Sequence, residues 1–287
     1  MVYLAACTFP DDGEEFDYCL KVPHNVYTSF YPFKVLSRHR LERVEFAPVT
    51  ILYGGNGSGK STALNVLAQK LGLSREASYN GSCFFEDYAS LCSVELRAPV
   101  PQTSRMIASD DVFQAMLDTR NLNQGIDEKR GEVFDAYLEA KRAKVQLRSM
   151  EDYEALRRTV RARSRTQSRY TREELGMNVR TFSNGESAYR YFTQKIEENG
   201  LYLLDEPENS LSPALAQDLA QFLEDSARFF GCQIVIATHS PFLLALRGAK
   251  IYDLDADPVT VKPWTQLDNV RAYRDFFKKH EKAFEAP

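Results

Sequence analysis

The stretch VTILYGGNGSGKST, residues 49–62, decides the fold. It begins with a short apolar run, continues with glycines, and is followed by leucines at helical spacing, at Leu64, Leu67 and Leu71. This order predicts a strand, a glycine-rich loop and a helix that starts directly after the loop. The loop fits the pattern G-x-x-x-x-G-K-[ST] without a mismatch. The alternative is a plain glycine-rich turn with an exposed lysine, but the strand before it and the helix after it favour a phosphate-binding loop.

The residue types in this loop suit phosphate chemistry. Glycines let backbone N–H groups converge on phosphate oxygens, Lys60 brings positive charge to the β- and γ-phosphates, and the Ser61 hydroxyl can ligate Mg²⁺. The pattern therefore predicts a nucleoside triphosphate site that also holds Mg²⁺. The loop residues expected to bind nucleotide are Gly54, Gly55, Asn56, Gly57, Ser58, Gly59, Lys60, Ser61 and Thr62.

Two more apolar runs predict strands of the same sheet. Residues 201–204 are fully apolar and end in Asp205 and Glu206, after which an amphipathic helix follows. The run QIVIAT, residues 233–238, ends in His239. Apolar strands that alternate with amphipathic helices predict an α/β fold with a mostly parallel central sheet, covered by helices on both faces.

The polar residues at these strand ends are the candidates for catalysis. Parallel strands bring their carboxyl ends to one edge of the sheet, where α/β proteins bind ligands. Asp205 is expected in the Mg²⁺ shell, Glu206 is expected to orient or deprotonate the attacking water, and His239 is expected near the γ-phosphate. The alternatives are a solvated strand end for the carboxylates and a structural role for the histidine. The phosphate loop upstream favours catalysis.

The segment TFSNGESAYRYF, residues 181–192, has two interpretations. Ser183 and Glu186 form a capping box ahead of a stripe at Ala188, Phe192 and Ile196, which predicts an ordinary helix start with a buried face. The same helix start, with an exposed serine and a bare glycine backbone at position 185, is also suited to binding an anion. The residues alone leave cap and phosphate clamp open.

The rest of the chain is expected to form an antiparallel flank and a helical insertion in one composite domain. Short segments of partly alternating polarity predict antiparallel strands at residues 32–37, 43–46, 92–96 and 105–108. The polar stretch from about residue 110 to residue 180 is expected to be helical. It carries one apolar patch, at Val133, Phe134, Tyr137 and Leu138. The expected parts are an N-terminal lobe at 1–109, a helical insertion at 110–180 and a C-terminal lobe at 181–287.

Composition narrows the class of protein. The chain has 287 residues, 44% of them hydrophobic, and a formal net charge of −4, which is typical of a globular domain. No apolar run reaches the ~18 residues of a membrane span, and the N-terminal segment turns acidic, so a cytoplasmic protein without a membrane contact is expected. Five cysteines without a CxxC pair argue against a zinc site or a disulfide framework.

Residues 157–172 concentrate positive charge. The segment starts with Arg157, ends with Arg172, and holds seven arginines and no acidic residue. One interpretation is a solvated helical face that acidic neighbours balance. The other is contact with the phosphates of DNA or RNA, since arginines supply most non-specific binding energy.

The four stretches GGNGSGKST, FSNGES, LYLLDEPENSLS and IVIATHS, in this order, resemble the ATP-binding-cassette ATPases. Within them the chain is most similar to the soluble Rad50-, SMC- and RecF-like branch and to small predicted bacterial AAA/ABC ATPases. The resemblance implies a P-loop ATPase head that binds ATP and Mg²⁺ and closes as a head-to-tail homodimer. It assigns Ser183, Gly185 and Glu186 to a signature motif that completes the partner protomer's site, and residues 209–212 to a dimer contact. The two interpretations of residues 181–192, a helix cap and a phosphate clamp, then describe the same helix start.

The chain also departs from the family pattern. FSNGES lacks the second glycine of the fuller LSGGQ signature, and no aromatic residue is assigned to adenine, with Tyr31 and Phe33 as candidates that also suit the core. The family also has a glutamine after the strand that precedes the helical region, and this sequence has two candidates for its position. Asp110 is the residue expected in that role, as a metal ligand, with Gln102 as the alternative.

These observations predict an ATPase whose dimer loosens on hydrolysis and moves a protein effector or nucleic acid held by the insertion. Genome maintenance and anti-phage defence are the settings that would suit it. One alternative is an ATP-dependent scaffold or sensor with little turnover that controls a separate effector. A weaker alternative, the motor subunit of a membrane transporter, is disfavoured by the divergent signature.

Overall fold

The computed structural model describes residues 1–22, 27, 29–77, 81–144, 152–175, 178–179 and 182–284, without the side chains of residues 172–174. The chain forms two compact units. The first comprises Met1–Phe113 and Asn184–Pro287, and the second comprises Gln114–Ser183.

The elements alternate along the first unit as expected for an α/β fold. The strands in the described residues are β1 (Leu4–Thr8), β2 (Arg43–Glu45), β3 (Val49–Tyr53), β4 (Ser93–Leu96), β5 (Arg105–Ala108), β6 (Leu201–Asp205), β7 (Gln233–Thr238), β8 (Lys250–Asp253) and β9 (Thr260–Val261). The helices are α1 (Asp12–Lys21), α2 (Lys60–Leu71), α3 (Phe85–Leu91), α4 (Ser109–Arg142), α5 (Asp152–Ser164), α6 (Gln167–Glu174), α7 (Asn184–Lys195), α8 (Pro213–Phe229), α9 (Pro241–Leu244), α10 (Asp268–Lys279) and α11 (Glu281–Phe284). None of these helices is both long and apolar enough to cross a membrane.

The central sheet has the strand order β5-β6-β7-β3-β8-β9 and is parallel except for β9. Every residue of β3, β6 and β7 is buried, which explains why their sequences are continuous apolar runs rather than alternating ones. Ile51 lies opposite Ile236, and Leu204 lies opposite the same residue from the other side. This register brings the ends of β3, β6 and β7 to one edge.

Two of the predicted flank strands are wrong. Residues 105–108 form β5, which pairs in parallel with β6 and extends the central sheet. Their short apolar run is buried at three of four positions, so it contains no alternation that could reveal its direction. Residues 32–37 form turns that lead into a 3₁₀ helix, Ser37–His39. Phe33 and Leu36 are buried at a spacing of three, which suits a turn rather than a strand.

The antiparallel flank itself is confirmed as a separate sheet with the order β2-β1-β4. The fully buried Gln233 of β7 ties this sheet to the central one. Its Oε1 accepts from the backbone N–H groups of Tyr3 and Leu4, at 2.7 and 2.8 Å, and its Nε2 donates to the Leu4 carbonyl at 2.8 Å. One side chain therefore supplies hydrogen-bond partners for the backbone groups at the start of β1.

Replacing Gln233 with leucine should lower the free energy of unfolding by about 3 kcal/mol, because it leaves buried N–H groups of Tyr3 and Leu4 without an acceptor. Denaturant unfolding followed by circular dichroism measures the change. Gln221→Leu, at an exposed position of α8, is the matched control and should be near neutral. A loss at position 233 no larger than that of the control would contradict this role.

The second unit is helical, as predicted for the insertion. Its buried cluster consists of Tyr137 on α4, Ala162 on α5 and Tyr170 on α6. Of the predicted apolar patch, Tyr137 is in this cluster and Val133 and Leu138 pack against it, whereas Phe134 is 43% exposed.

Candidate functional site

The glycine loop lies between β3 and α2, as the sequence predicts. Gly59 has φ +89°, and a Cβ there would lie 3.0 Å from Leu36 Cδ2, so only glycine fits without strain. Lys60 starts α2 and is buried, and its Nζ donates to the carbonyls of Gly54 and Gly55 at 2.7 and 2.9 Å. The ammonium group therefore lies inside its own loop at the N-terminus of a helix, where anions bind.

A cavity of about 370 Å³ opens in front of this loop, within the size range of small-molecule sites. Its lining residues are Tyr31, Val35, Asn56, Gly57, Ser58, Gly59, Lys60, Ser61, Thr62 and Glu206. The structure distinguishes the two aromatic candidates for contact with adenine, Tyr31 and Phe33. The Tyr31 hydroxyl lies 3.1 Å from Thr62 Oγ1 on the cavity wall, whereas Phe33 is buried and stacks on Tyr18 at 4.5 Å.

Ser61 and Asp205 meet across the sheet edge. Ser61 Oγ donates to Asp205 Oδ1 at 3.0 Å. The pKa of Asp205 is raised to about 6, chiefly because the carboxyl group is buried; the Ser61 hydrogen bond opposes this shift and the neighbouring Glu206 adds to it. A buried carboxylate beside a hydroxyl is a pair of hard oxygen donors, which fits Mg²⁺.

Glu206 lies between the lysine and the histidine. Its Oε1 is 3.9 Å from Lys60 Nζ and 3.8 Å from His239 Nδ1, and its Oε2 accepts from Asn209 Nδ2 at 3.0 Å. Its backbone has φ +46°, a left-handed conformation that is uncommon for a residue other than glycine. Such positions concentrate at functional sites.

His239 follows β7 and is held by a carboxylate that sequence reasoning did not single out. Glu208 Oε1 accepts from the backbone N–H groups of His239 and Ser240, both at 3.2 Å, and from the Thr238 hydroxyl. The same oxygen lies 3.8 Å from His239 Nδ1. The signal available was a third carboxylate, two residues after Glu206 in the same turn.

A second residue that sequence reasoning missed is Asp255, after β8. Both of its carboxylate oxygens accept from the Gly55 N–H, at 3.0 and 2.8 Å. The two residues are 200 positions apart, so no local pattern could have joined them. This contact holds the first turn of the phosphate loop.

The predicted signature lies at the start of α7. Ala188, Phe192 and Ile196 are buried, which confirms the stripe. A Cβ at Gly185 would lie 3.1 Å from the Ser210 carbonyl oxygen and 3.2 Å from Leu215 Cδ1. Glycine is therefore needed here for close packing against the turn after β6, whatever else it binds.

The cavity lining includes neither Gly185 nor Glu186. Ser183 and Glu186 are exposed. Their assignment to a partner's site stays a prediction.

Asp110 lies at the second position of α4 and is exposed, as is Gln102 in the turn before β5. The buried carboxylate of this stretch is Asp111, which accepts from the Ala108 N–H at 2.6 Å and lies 4.0 Å from Arg75. The metal-ligand role of Asp110 stays a prediction.

Two arginines of the segment at residues 157–172 have structural contacts within the second unit. Arg163 Nη2 donates to the Ala143 carbonyl at 2.8 Å, directly after α4, and the Arg161 guanidinium lies 5.4 Å from the Tyr170 ring centroid. Arg157 and Arg158 are exposed on α5, and Arg158 lies 3.9 Å from Glu154, a weak surface pair. The side chain of Arg172 lies outside the described part of the chain.

Comparison with known proteins adds a family match. The model described as "AAA domain, putative AbiEii toxin, Type IV TA system" matches residues 113–245, slightly under half of the chain. This range contains α7, Asp205, Glu206 and His239, while the phosphate loop precedes it. The comparison with curated proteins found no match.

Two solved structures show the kind of neighbour found. The first is the Smc head domain with an extended coiled coil, bound to the C-terminal domain of ScpA, from Pyrococcus furiosus, at 14% identity and a TM-score of 0.45, with 96% of this chain and 100% of that chain covered. The second is an ATP-binding cassette dimer in a post-hydrolysis state with ADP and phosphate, at 18% identity and a TM-score of 0.36, with 75% and 85% covered. The family match and the phosphate loop between β3 and α2 together support a P-loop nucleotide-binding domain of the AAA kind.

Proposed function

We propose that this chain binds ATP with Mg²⁺ in the cavity in front of the phosphate loop and hydrolyses it. The observation that carries the proposal is the 3.0 Å contact between Ser61 Oγ and Asp205 Oδ1, with Lys60 and Glu206 beside it. Two segments 144 residues apart thus supply a phosphate cradle, a pair of metal ligands and a base around one space.

Each residue has a distinct task in this mechanism. Lys60, released from the Gly54 and Gly55 carbonyls, neutralises charge on the β- and γ-phosphates. Ser61 and Asp205 would hold Mg²⁺, and when bound the ion supplies charge neutralisation on the transferring group. Glu206 orients and deprotonates the attacking water. His239, positioned by Glu208, donates toward the γ-phosphate.

The proposal includes a head-to-tail homodimer in which α7 of one chain faces the phosphate loop of the other. Its support is the exposure of Ser183 and Glu186 at a helix N-terminus, together with the resemblance to dimeric cassettes. A helix start that is already packed through Gly185 against its own chain is a rigid donor of backbone N–H groups to a partner's phosphate.

Ser183→Arg tests this arrangement better than a change at Gly185, because the Gly185 backbone packs against Ser210. The variant is expected to bind ATP but to hydrolyse it at least ~100-fold more slowly, the scale of lost charge stabilisation. Mixed with Lys60→Ala chains, it should regain turnover, because one of the two composite sites keeps an intact loop and an intact signature.

Phosphate release measures both effects, and Gln194→Arg, exposed near the end of α7, is the control. A mixture no more active than the two variants assayed separately would contradict the arrangement in which α7 of one chain completes the ATP site of the other.

The biological role is proposed on the resemblance and the family match. A P-loop ATPase that controls a separate protein effector would suit genome maintenance or anti-phage defence, and the matched family's description names a type IV TA system. The scaffold or sensor alternative keeps ATP binding but has little turnover. Phosphate release with and without added DNA or RNA separates the two, because only the enzyme converts ATP continuously.

Nucleic-acid contact through the second unit is proposed for its exposed arginines. Changing Arg157 and Arg158 to glutamine should weaken DNA or RNA binding and reduce the slope of log K against log salt by about 0.7 to 0.9 for each lost phosphate contact. Filter binding across a salt series measures it, with exposed Lys129→Gln as the control. An unchanged slope would leave the segment as a solvated face.

A further inference from the structure

The turn after β6 folds Asn209 back onto Glu206. Residues 206–209 are Glu-Pro-Glu-Asn, with proline in the second position, where its fixed φ suits a β-turn. The Asn209 N–H donates to the Glu206 carbonyl at 3.1 Å, which closes this turn. The Glu206 N–H donates to the Ala237 carbonyl of β7 at 2.9 Å. The side chains of Glu206 and Asn209 therefore lie on a short turn that is tied to the central sheet.

The two oxygens of the Glu206 carboxylate have different surroundings. Oε2 accepts from Asn209 Nδ2 at 3.0 Å. Oε1 lies 3.9 Å from Lys60 Nζ and 3.8 Å from His239 Nδ1, and both distances are longer than a hydrogen bond. Glu206 also lines the nucleotide cavity. One carboxylate oxygen is thus held by an amide, and the other is available to a water molecule in the cavity.

The Asn209 amide has a defined orientation. Its Nδ2 donates to Glu206 Oε2 and, at 3.4 Å, to Ser109 Oγ at the first residue of α4. If the amide were turned the other way, its oxygen would face a carboxylate oxygen, and neither atom could donate. The two N–H groups on one nitrogen therefore match two acceptors that come from separate segments of the chain.

This hydrogen bond can persist while ATP is bound. A general base has to lie within hydrogen-bond reach of the proton that it accepts, so its carboxylate has to be held in place. In the proposed mechanism Lys60 turns to the phosphates and no longer faces Glu206. Asn209 is uncharged and does not line the nucleotide cavity, so it can hold the carboxylate without competing for phosphate.

We propose that Asn209 is the positioning residue of the catalytic base, holding Oε2 of Glu206 so that Oε1 faces the attacking water. As the water oxygen bonds to the γ-phosphorus, its proton passes to Oε1. The bond between the γ-phosphorus and the bridging oxygen breaks, and ADP leaves with the electron pair. The inference rests on the proposed hydrolysis and adds a residue that acts inside its own chain. The dimer contact that the resemblance assigns to residues 209–212 is a separate role.

Asn209→Asp tests this role, because aspartate keeps the shape of the side chain but offers no N–H and places a second carboxylate beside Glu206. The variant is expected to bind ATP with wild-type affinity in calorimetry. In a single turnover it should form ADP about tenfold to 100-fold more slowly, the scale of one hydrogen bond to a charged group. Gln217→Glu, an equal change of charge at an exposed position of α8, is the control and should keep the wild-type rate.

The outcomes separate this role from the proposed hydrolysis. Formation of ADP by Asn209→Asp at the rate of an active wild-type chain would overturn the role of Asn209 and leave the hydrolysis intact. A wild-type chain that forms no ADP would overturn both.

A double variant separates positioning of the base from stability of the turn. In a Glu206→Gln background, Asn209→Asp is expected to leave the remaining single-turnover rate unchanged. No carboxylate is then left to position, and the glutamine amide can donate to the aspartate. If Asn209 only stabilised the turn, the change would slow both backgrounds by the same factor, and that result would overturn the proposal.

Mixing with Lys60→Ala chains shows in which chain Asn209 acts. Asn209→Asp is expected to stay slow in this mixture, because the intact phosphate loop belongs to the chain whose base is no longer held. Ser183→Arg, which is expected to regain turnover with the same partner, is the positive control. Recovery by Asn209→Asp would mean that the other chain supplies the amide, which would overturn the proposal.

Discussion

Lys60→Ala is expected to weaken ATP binding about 100-fold or more, the scale of losing one partner of a buried, hydrogen-bonded charge contact. The Lys60 ammonium is buried and is already held at the loop by the carbonyls of Gly54 and Gly55. Alanine removes the only charge that α2 brings to the β- and γ-phosphates, while the backbone N–H groups of the loop remain. Isothermal titration calorimetry with ATP and Mg²⁺ measures the loss.

The matched control is Lys70→Ala, at the other end of the same helix, where the side chain reaches the Ser90 carbonyl at 3.4 Å. It removes an equal charge from α2 far from the loop and should bind ATP like the wild type. Wild-type affinity in Lys60→Ala would mean that the glycine loop is not the phosphate site.

Glu206→Gln is expected to bind ATP normally and to hydrolyse it at least ~100-fold more slowly, the scale of losing a general base. Glutamine keeps the shape of the side chain and can still pair with Asn209, but it cannot accept a proton from water. Rapid-quench measurement of ADP formation gives the rate. Glu198→Gln, an exposed change before β6, is the control.

The same variant should accumulate as an ATP-bound head-to-tail dimer, because the step that loosens it is blocked. Light scattering with and without ATP measures the nucleotide-dependent change in mass. If turnover persists near the wild-type rate, Glu206 is not the group that activates water.

The sequence was sufficient for the centre of the fold. β3, β6 and β7 are largely apolar runs because both of their faces are buried. The phosphate loop follows β3, and Asp205 and His239 lie at the ends of β6 and β7 on the same edge. The direction of β5 could not be predicted, since four residues buried mostly on both faces fit either a parallel or an antiparallel partner. β1 is tied in by Gln233, more than 200 positions away, which no local pattern reveals.

The candidate site shows the same division between local and distant information. The loop at residues 54–62 and the pair Asp205–Glu206 were predictable because each motif is contiguous. Glu208 was visible in the sequence, but its three acceptor contacts around His239 depend on how the turn folds. Asp255 and the close approach of Gly185 to Ser210 depend on packing between distant segments.

The central claim is that ATP is hydrolysed in the cavity lined by Lys60, Ser61 and Glu206, where Asp205 is hydrogen-bonded to Ser61. A single-turnover experiment tests it most directly: protein in excess of radiolabelled ATP, with Mg²⁺, quenched over time and analysed for ADP. The account expects complete conversion by the wild-type chain, none above background with EDTA in place of Mg²⁺, and bound but intact ATP in Glu206→Gln. ATP that stays intact on the wild-type chain, or conversion by Glu206→Gln at the wild-type rate, would contradict it.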